Sequence, residues 1–257
     1  MIQKKNLNNP VNPVCLINKN DQFHINQRAP ELKQRLEQVR ERIRKACESC
    51  QRDPNSVRLV AVSKTVATDI VKEAIEAGVT HLGENYVQEA RDKFKALVQY
   101  RISWHFIGHL QSNKAKYAVR LFDLIHTVDS LKLAQELDKQ AVKVDKIQQI
   151  LVQVNISAED TKSGISVDEA PRLISEISRM KNLAVKGLMT MPPYFYQPEK
   201  VRPFFAALRK LRDQIGQTQP NVSLSELSMG MTGDFEVAIE EGATLVRIGT
   251  AIFGERQ

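Results

Sequence analysis

Two cations sit in this chain where soluble proteins seldom keep them. Lys64 follows the apolar run LVAVS, and Arg247 interrupts the run TLVRIG. A lysine is almost never fully buried without a partner, and a guanidinium inside an apolar strand must be paired or must reach a polar cavity. The plain reading of Lys64 is a strand end whose amine snorkels into water. For Arg247 it is a core ion pair, with Glu226 as a candidate partner. The chemical reading differs: an amine desolvated among apolar neighbours loses its proton more readily and becomes a nucleophile toward aldehydes.

A third feature joins these two. Five of the eleven glycines fall within residues 230–254, in and between the stretches SMGMTGD and GTAIFGE. Glycine lets backbone N–H groups approach an oxyanion closely, and the hydroxyls of Ser228, Thr232 and Thr250 add donors. Tight turns alone would account for one such loop; two adjacent loops point to a phosphate. An amine for an aldehyde, an arginine for a ring nitrogen and a phosphate cradle beside the arginine together describe pyridoxal 5′-phosphate.

Something must bring residues 64, 228–233 and 247–250 together. The sequence alternates strand-like and helix-like segments with short connections. Strands are expected at 57–63, 79–83, 103–108, 124–128, 148–155, 184–190, 224–228 and 245–249. Helices are expected at 31–51, 68–77, 85–99, 112–121, 130–142, 168–180, 198–215 and 234–241. Ser166 and Glu169 form a capping-box pattern, and Gly78 and Gly242 stand where helix C-terminal glycines belong. Eight alternations are the signature of a parallel α/β fold and favour a closed (β/α)8 TIM-type barrel with an extra N-terminal helix over an open doubly wound sheet. In such a barrel the site is built from the loops after the strands. Those loops hold Lys64, Glu84 with Asn85, and His109 in GHLQSNK. They also hold Thr190 between two methionines, the stretch 228–233, and Gly249 with Thr250. The aromatic stretch PPYFYQPEK is expected near the barrel mouth.

Composition narrows the rest. The 257 residues are 42% hydrophobic and 26% charged, with a net charge of +7, which is ordinary for a soluble globular protein. No run of about 18 apolar residues occurs, so no membrane span is expected. Residues 1–52 carry 11 Lys/Arg against 5 Asp/Glu, while residues 53–257 carry 26 against 25. The basicity belongs to the N-terminal tail and first helix, and is read as a solvated face rather than a nucleic-acid surface. The Asn-rich residues 1–30 lack a signal-peptide core and are expected to be a disordered tail, leaving 31–257 as the barrel. Three cysteines suit a reducing, cytoplasmic setting. Cys47 and Cys50 form a C-x-x-C, yet both fall on the apolar stripe Leu32, Leu36, Val39, Ile43, Ala46, Cys50 and are read as packing residues. His105 and His109 straddle a strand end and are not read as a metal pair.

The stretches AVSKT, GENYVQEA, WHFIGHLQSNK, VNISAEDTKSGI, GLMTM and LSMGMTGDFEVAIEEGATLVRIGTAIFGER resemble the pyridoxal phosphate homeostasis proteins, relatives of the N-terminal barrel of alanine racemase. The resemblance runs in unbroken order over about residues 31–257. It implies a barrel carrying pyridoxal 5′-phosphate as a Schiff base on Lys64, with Arg247 facing the pyridine nitrogen and Asn85 beside the ring. The phosphate would lie among Ser228, Gly230, Thr232, Gly249 and Thr250. The family usually has serine at the position of Thr232 and often an acidic or amide residue at that of Gly233. The resemblance further implies a role in vitamin B6 homeostasis without a dedicated reaction. The partners would be the cofactor itself and apo-enzymes receiving it, and the state a monomer. A small racemase-like enzyme or a Schiff-base aldolase is the alternative. Alanine racemases add a β-rich domain that supplies a catalytic tyrosine; a chain ending at Gln257 is therefore expected to be the carrier.

Overall fold

The computed structural model of the protein describes residues 19–157, 159 and 162–255. Its strands are short runs of β-branched and aliphatic residues buried on both faces, as parallel sheets require. They are β1 (Arg58–Val62), β2 (His81–Glu84), β3 (Ser103–Phe106), β4 (Leu124–Val128), β5 (Gln148–Asn155), β6 (Ile165–Ser166), β7 (Leu183–Met189), β8 (Glu226–Ser228) and β9 (Leu245–Ile248). The sheet order is β4-β3-β2-β1-β9-β8-β7-β5, and a β4–β5 pairing closes it into a cylinder of parallel strands. The expected (β/α)8 barrel is thus the observed architecture. Strand β6 stands outside it, pairing only with the end of β5 through Val154↔Ile165 and Asn155↔Ser166. Two residues are too few to show a period, which is why the sequence pattern passes over it.

Helices α1 (Lys19–Ser49), α2 (Thr68–Glu76), α3 (Val87–Ala96), α4 (Ala115–Leu121), α5 (Leu131–Val142), α6 (Ala170–Ile177), α7 (Arg202–Thr218), α8 (Phe235–Glu240) and α9 (Thr250–Phe253) surround the barrel. Helix α1 begins well before the expected residue 31 and holds Pro30 within it. A proline reads from sequence as a first-turn residue, so the polar segment preceding it gave no helical signal. Of the expected tail 1–30, residues 1–18 lie outside the described residues and residues 19–30 are helical. Helix α9 was not expected; four residues are again too short to read. Gly78 and Gly242 cap α2 and α8 with positive φ, and Val79 and Ala243, each the sixth residue of the motif, donate back to the carbonyl of the first, Ala74 and Ala238. At α6 the expected capping box is altered. Glu169 N donates to Ser166 Oγ (3.3 Å), but the Glu169 carboxylate takes the serine hydroxyl (2.6 Å) instead of the Ser166 N–H.

Helix α1 is part of the barrel's architecture, and it braces the two loops that matter most. Leu32, Leu36, Val39, Ile43, Ala46 and Cys47 are buried, so the stripe ends on Cys47, with Cys50 only half-buried. Arg35 Nε donates to Ile252 O in α9 (2.8 Å). Arg42 pairs with Glu236 of α8 (2.6 Å) and lies over the Phe235 ring, 4.5 Å from its centre. Arg52 donates to Ile239 O (2.5 Å) and Ala243 O (2.9 Å) at the end of α8. Arg40 and Arg44 are engaged by Glu37, Glu41 and Glu48 on α1 itself.

Replacing Leu36 with alanine is expected to lower stability by about 2–5 kcal/mol in chemical denaturation, through lost burial and a residual cavity. A loss below about 0.5 kcal/mol, typical of a surface site, would show that α1 does not pack on the barrel in solution.

Candidate functional site

One cavity of about 920 Å³ opens at the C-terminal ends of the strands, and Lys64, Asn85, Thr232, Arg247, Gly249 and Thr250 all line it. These are six of the eight positions expected to bind the cofactor. They come from loops after β1, β2, β8 and β9 and from β9 itself, far apart in the chain, from Lys64 to Thr250, yet adjacent because β1 pairs with both β2 and β9.

Lys64 lies just past the end of β1, half-buried, in a turn whose next residue is unusual. Thr65 has φ +62°, a left-handed conformation that a β-branched residue rarely adopts. Such a backbone persists only when its surroundings over-determine it, and here they do. Thr65 N donates to Glu89 Oε1 (2.6 Å). Lys93 of α3, its side chain only 4% exposed, donates to Glu89 Oε1 (2.6 Å), Glu84 Oε1 (2.8 Å) and Ser63 O (2.5 Å). Ser63 Oγ donates to Glu84 Oε1 (2.6 Å). Ser63 and Thr65, on either side of Lys64, are thereby tied to α3 or β2. Glu84 ends β2 and is absent from the cavity lining. It is a fully buried half of an ion pair behind the lysine turn. Burial holds its carboxyl above the ordinary range despite the opposing pull of Lys93.

Arg247 is the second fixed point. It is buried in β9 and does not pair with Glu226, which is held at the other end of its strand by Arg58 and Thr244. Its NH1 donates to Ser228 Oγ (2.6 Å) and its NH2 to Thr190 O (3.0 Å), both uncharged partners. Burial pulls its pKa down to about 10, against the opposing pull of Asp234. The group therefore stays cationic at neutral pH, facing a cavity with its charge incompletely answered.

Ser228 and Gly230 are not among the residues lining the cavity. Ser228 is fully buried and has its hydroxyl engaged by Arg247 and by His126 Nδ1 (2.8 Å). Its hydroxyl supports the arginine. Gly230, at φ +90°, accepts from Arg247 N (3.0 Å), and a Cβ there would sit 2.6 Å from that of Ala238. Its bareness lets α8 approach, so it shapes the loop from behind. At the rim, Thr250 Oγ1 donates to Thr232 Oγ1 (3.2 Å), leaving two hydroxyls side by side next to Gly233 and Gly249. Gly233 has open space where a Cβ would lie. The aromatic stretch does reach the mouth: Met191, Tyr194 and Phe195 line the cavity. Sequence reading missed Lys93, His105 and His126. Each sits in a segment whose pattern reads as ordinary helix or strand, and only a polar residue at an inward position would have signalled it.

The residues present fit pyridoxal 5′-phosphate. Asn85 Oδ1 is buried without a hydrogen-bond partner, an orphaned acceptor at the wall of the cavity. An amine, a buried guanidinium, two rim hydroxyls and this orphaned oxygen converge on a space large enough for the cofactor.

Comparison with known proteins gives the same direction. The family described as "Alanine racemase, N-terminal domain" matches residues 34–257. The pyridoxal phosphate homeostasis protein of Aquifex aeolicus is 48% identical over 224 residues, covering 87% of this chain and 98% of that protein. The protein of the same name from Vibrio alginolyticus is 43% identical over 229 residues, 88% of this chain and 97% of its own. Among solved structures, PipY of Synechococcus elongatus with PLP bound superposes with a TM-score of 0.77 at 35% identity, covering 87% of this chain and all of that one.

The clamp behind Lys64 makes a pH-dependent prediction. Lys93→Met leaves Glu84 buried without its cation, at an expected cost of about 3–5 kcal/mol near neutral pH. It also raises the Glu84 pKa beyond its already elevated position. A carboxyl whose folded pKa exceeds its unfolded one loses stabilising contribution as pH rises through the folded value, and regains it on acidification. Denaturation at several pH values should therefore show the deficit narrowing as pH falls toward the ordinary glutamate range. A deficit independent of pH would remove Glu84 from the explanation.

Proposed function

The chain belongs to the family of pyridoxal phosphate homeostasis proteins, and from that premise we propose that it holds pyridoxal 5′-phosphate covalently on Lys64. Its part in vitamin B6 homeostasis is then to keep and release the cofactor, without a dedicated reaction. The observation that carries this reading is that Lys64, Arg247 and the Thr232–Thr250 pair line the same cavity. Thr232, Gly249 and Thr250 would receive the phosphate, Arg247 the ring nitrogen, and Asn85 the edge of the ring. Residues 31–257 are the cofactor-binding unit on this reading.

When bound, the cofactor supplies an aldehyde that condenses with an amine and a ring that can withdraw electrons. The chain's residues govern how far that ring is activated. Arg247, cationic and buried, would oppose a proton on a ring nitrogen in contact with it, because two cations would then meet in a desolvated site. An unprotonated ring withdraws electrons weakly, which suits holding more than turnover. The half-buried Lys64 is reached through a mouth bordered by Tyr194, Phe195 and Met191. An apo-enzyme accepting the cofactor would meet this aromatic rim. On this reading the protein is a cytoplasmic monomer; among the described residues no helix is long and apolar enough to cross a membrane.

The test is spectroscopic. Purified protein mixed with pyridoxal 5′-phosphate should develop a visible absorption band, borohydride should fix the cofactor to the peptide containing Lys64, and Lys64→Ala should lack both while remaining folded. Absence of the band in the folded native chain would refute the reading. Interconversion of D- and L-amino acids, or capture of a phosphorylated aldehyde substrate on Lys64, would replace the carrier by a racemase-like enzyme or an aldolase.

A further inference from the structure

A line of polar side chains runs through the interior of the barrel behind Arg247. Arg247 NH1 is 2.6 Å from Ser228 Oγ, which is 2.8 Å from His126 Nδ1. His126 Nε2 is 2.9 Å from His105 Nδ1, and His105 Nε2 is 3.2 Å from Ser103 Oγ. Ser228, His126 and His105 are almost wholly buried. Five residues on four strands thus form one chain of hydrogen bonds with a single branch, from Arg247 to Thr190 O.

The chain has a direction, and the guanidinium sets it. Arginine only donates, so Ser228 Oγ accepts from Arg247. The two hydrogen-bonding neighbours of that hydroxyl are Arg247 and His126. If His126 Nδ1 also donated to it, the serine hydrogen would be stranded in the core, at a cost larger than one hydrogen bond is worth. The hydroxyl therefore donates to His126 Nδ1. That leaves His126 protonated on Nε2 and donating to His105 Nδ1, and His105 protonated on Nε2 and donating to Ser103. Burial and the cations at either end keep the imidazoles neutral. His105 is pushed down to about 3 by burial, then by His81 and Arg58. His126 lies well below the usual range through burial, His105, Arg247 and Arg58.

We infer that His126 is a positioning residue for Arg247: through Ser228, in its Nε2–H tautomer, it holds the guanidinium at the wall of the cavity. The functional consequence rests on the reading that Arg247 meets the cofactor ring. The tautomers do not depend on it.

Two measurements test this. In cofactor-free protein, long-range proton–nitrogen NMR on the five histidines, with His105 and His126 assigned by the signals lost in His→Gln variants, should show Nε2–H for both. Nδ1–H at either would overturn the inference, whatever happens with the cofactor. Titration with pyridoxal 5′-phosphate then separates positioning from packing. Glutamine at 126 retains an acceptor and a donor, so His126→Gln should bind within a few-fold of the native chain. His126→Phe fills the space but strands the serine hydroxyl, and should weaken binding by about tenfold, the worth of one such bond. Equal affinity for the native chain and a folded His126→Phe would also overturn it. A native chain that binds no cofactor refutes the carrier reading, while the NMR result still judges the relay.

Discussion

A guanidinium buried inside a closed barrel, with uncharged partners, constrains everything around it. Moving such a charge out of water is costly, and the cost is eased where its donors are aimed at acceptors. Arg247 has a hydroxyl from β8 and the backbone carbonyl of Thr190, just past β7, as such acceptors. The serine in turn needs His126, and His126 needs His105. A polar column therefore stands beside the aliphatic cluster of Val60, Leu124, Leu151, Met189 and Leu245 that fills the rest of the interior. Its presence is intelligible if the charge is wanted at the cavity.

Across the cavity the second buried cation is handled in the opposite way. Lys93 is paired outright, with Glu84 and Glu89, and its third bond goes to the backbone of the turn that presents Lys64. One charge is neutralised behind the site, where it serves as a fastening. The other is left incompletely answered at the wall, where it can meet a ligand. The left-handed Thr65 shows where the fastening is applied.

The outer layer follows the same logic. The basic N-terminal segment reads from sequence as a solvated face, but Arg35, Arg42 and Arg52 reach across to α8 and α9, and Arg40 and Arg44 are engaged within α1. The charge that looked available in the sequence is used to brace the loops after β8 and β9. Those loops carry the paired threonines at the rim of the cavity, so a helix remote in sequence from the site helps hold its shape.

The barrel was legible in the sequence because eight alternations of buried strand and amphipathic helix leave few other ways to cover apolar surface, and β4 and β5 fall on the expected residues. Lys64 and Arg247 were legible for a similar reason: a charge in an apolar run has no local partner to explain it. Ser228 and Gly230 read from sequence as phosphate positions and Glu84 as a loop residue beside Asn85, but the partners of their side chains and backbone were not legible. Whether a carboxylate faces the cavity or a lysine behind it, and whether a serine serves a phosphate or an arginine, depends on partners up to 102 residues away in the chain. Local pattern reports what a residue costs to bury. Only the closed barrel, by bringing β2, β3, β4, β8 and β9 around one interior, decided which groups would satisfy it.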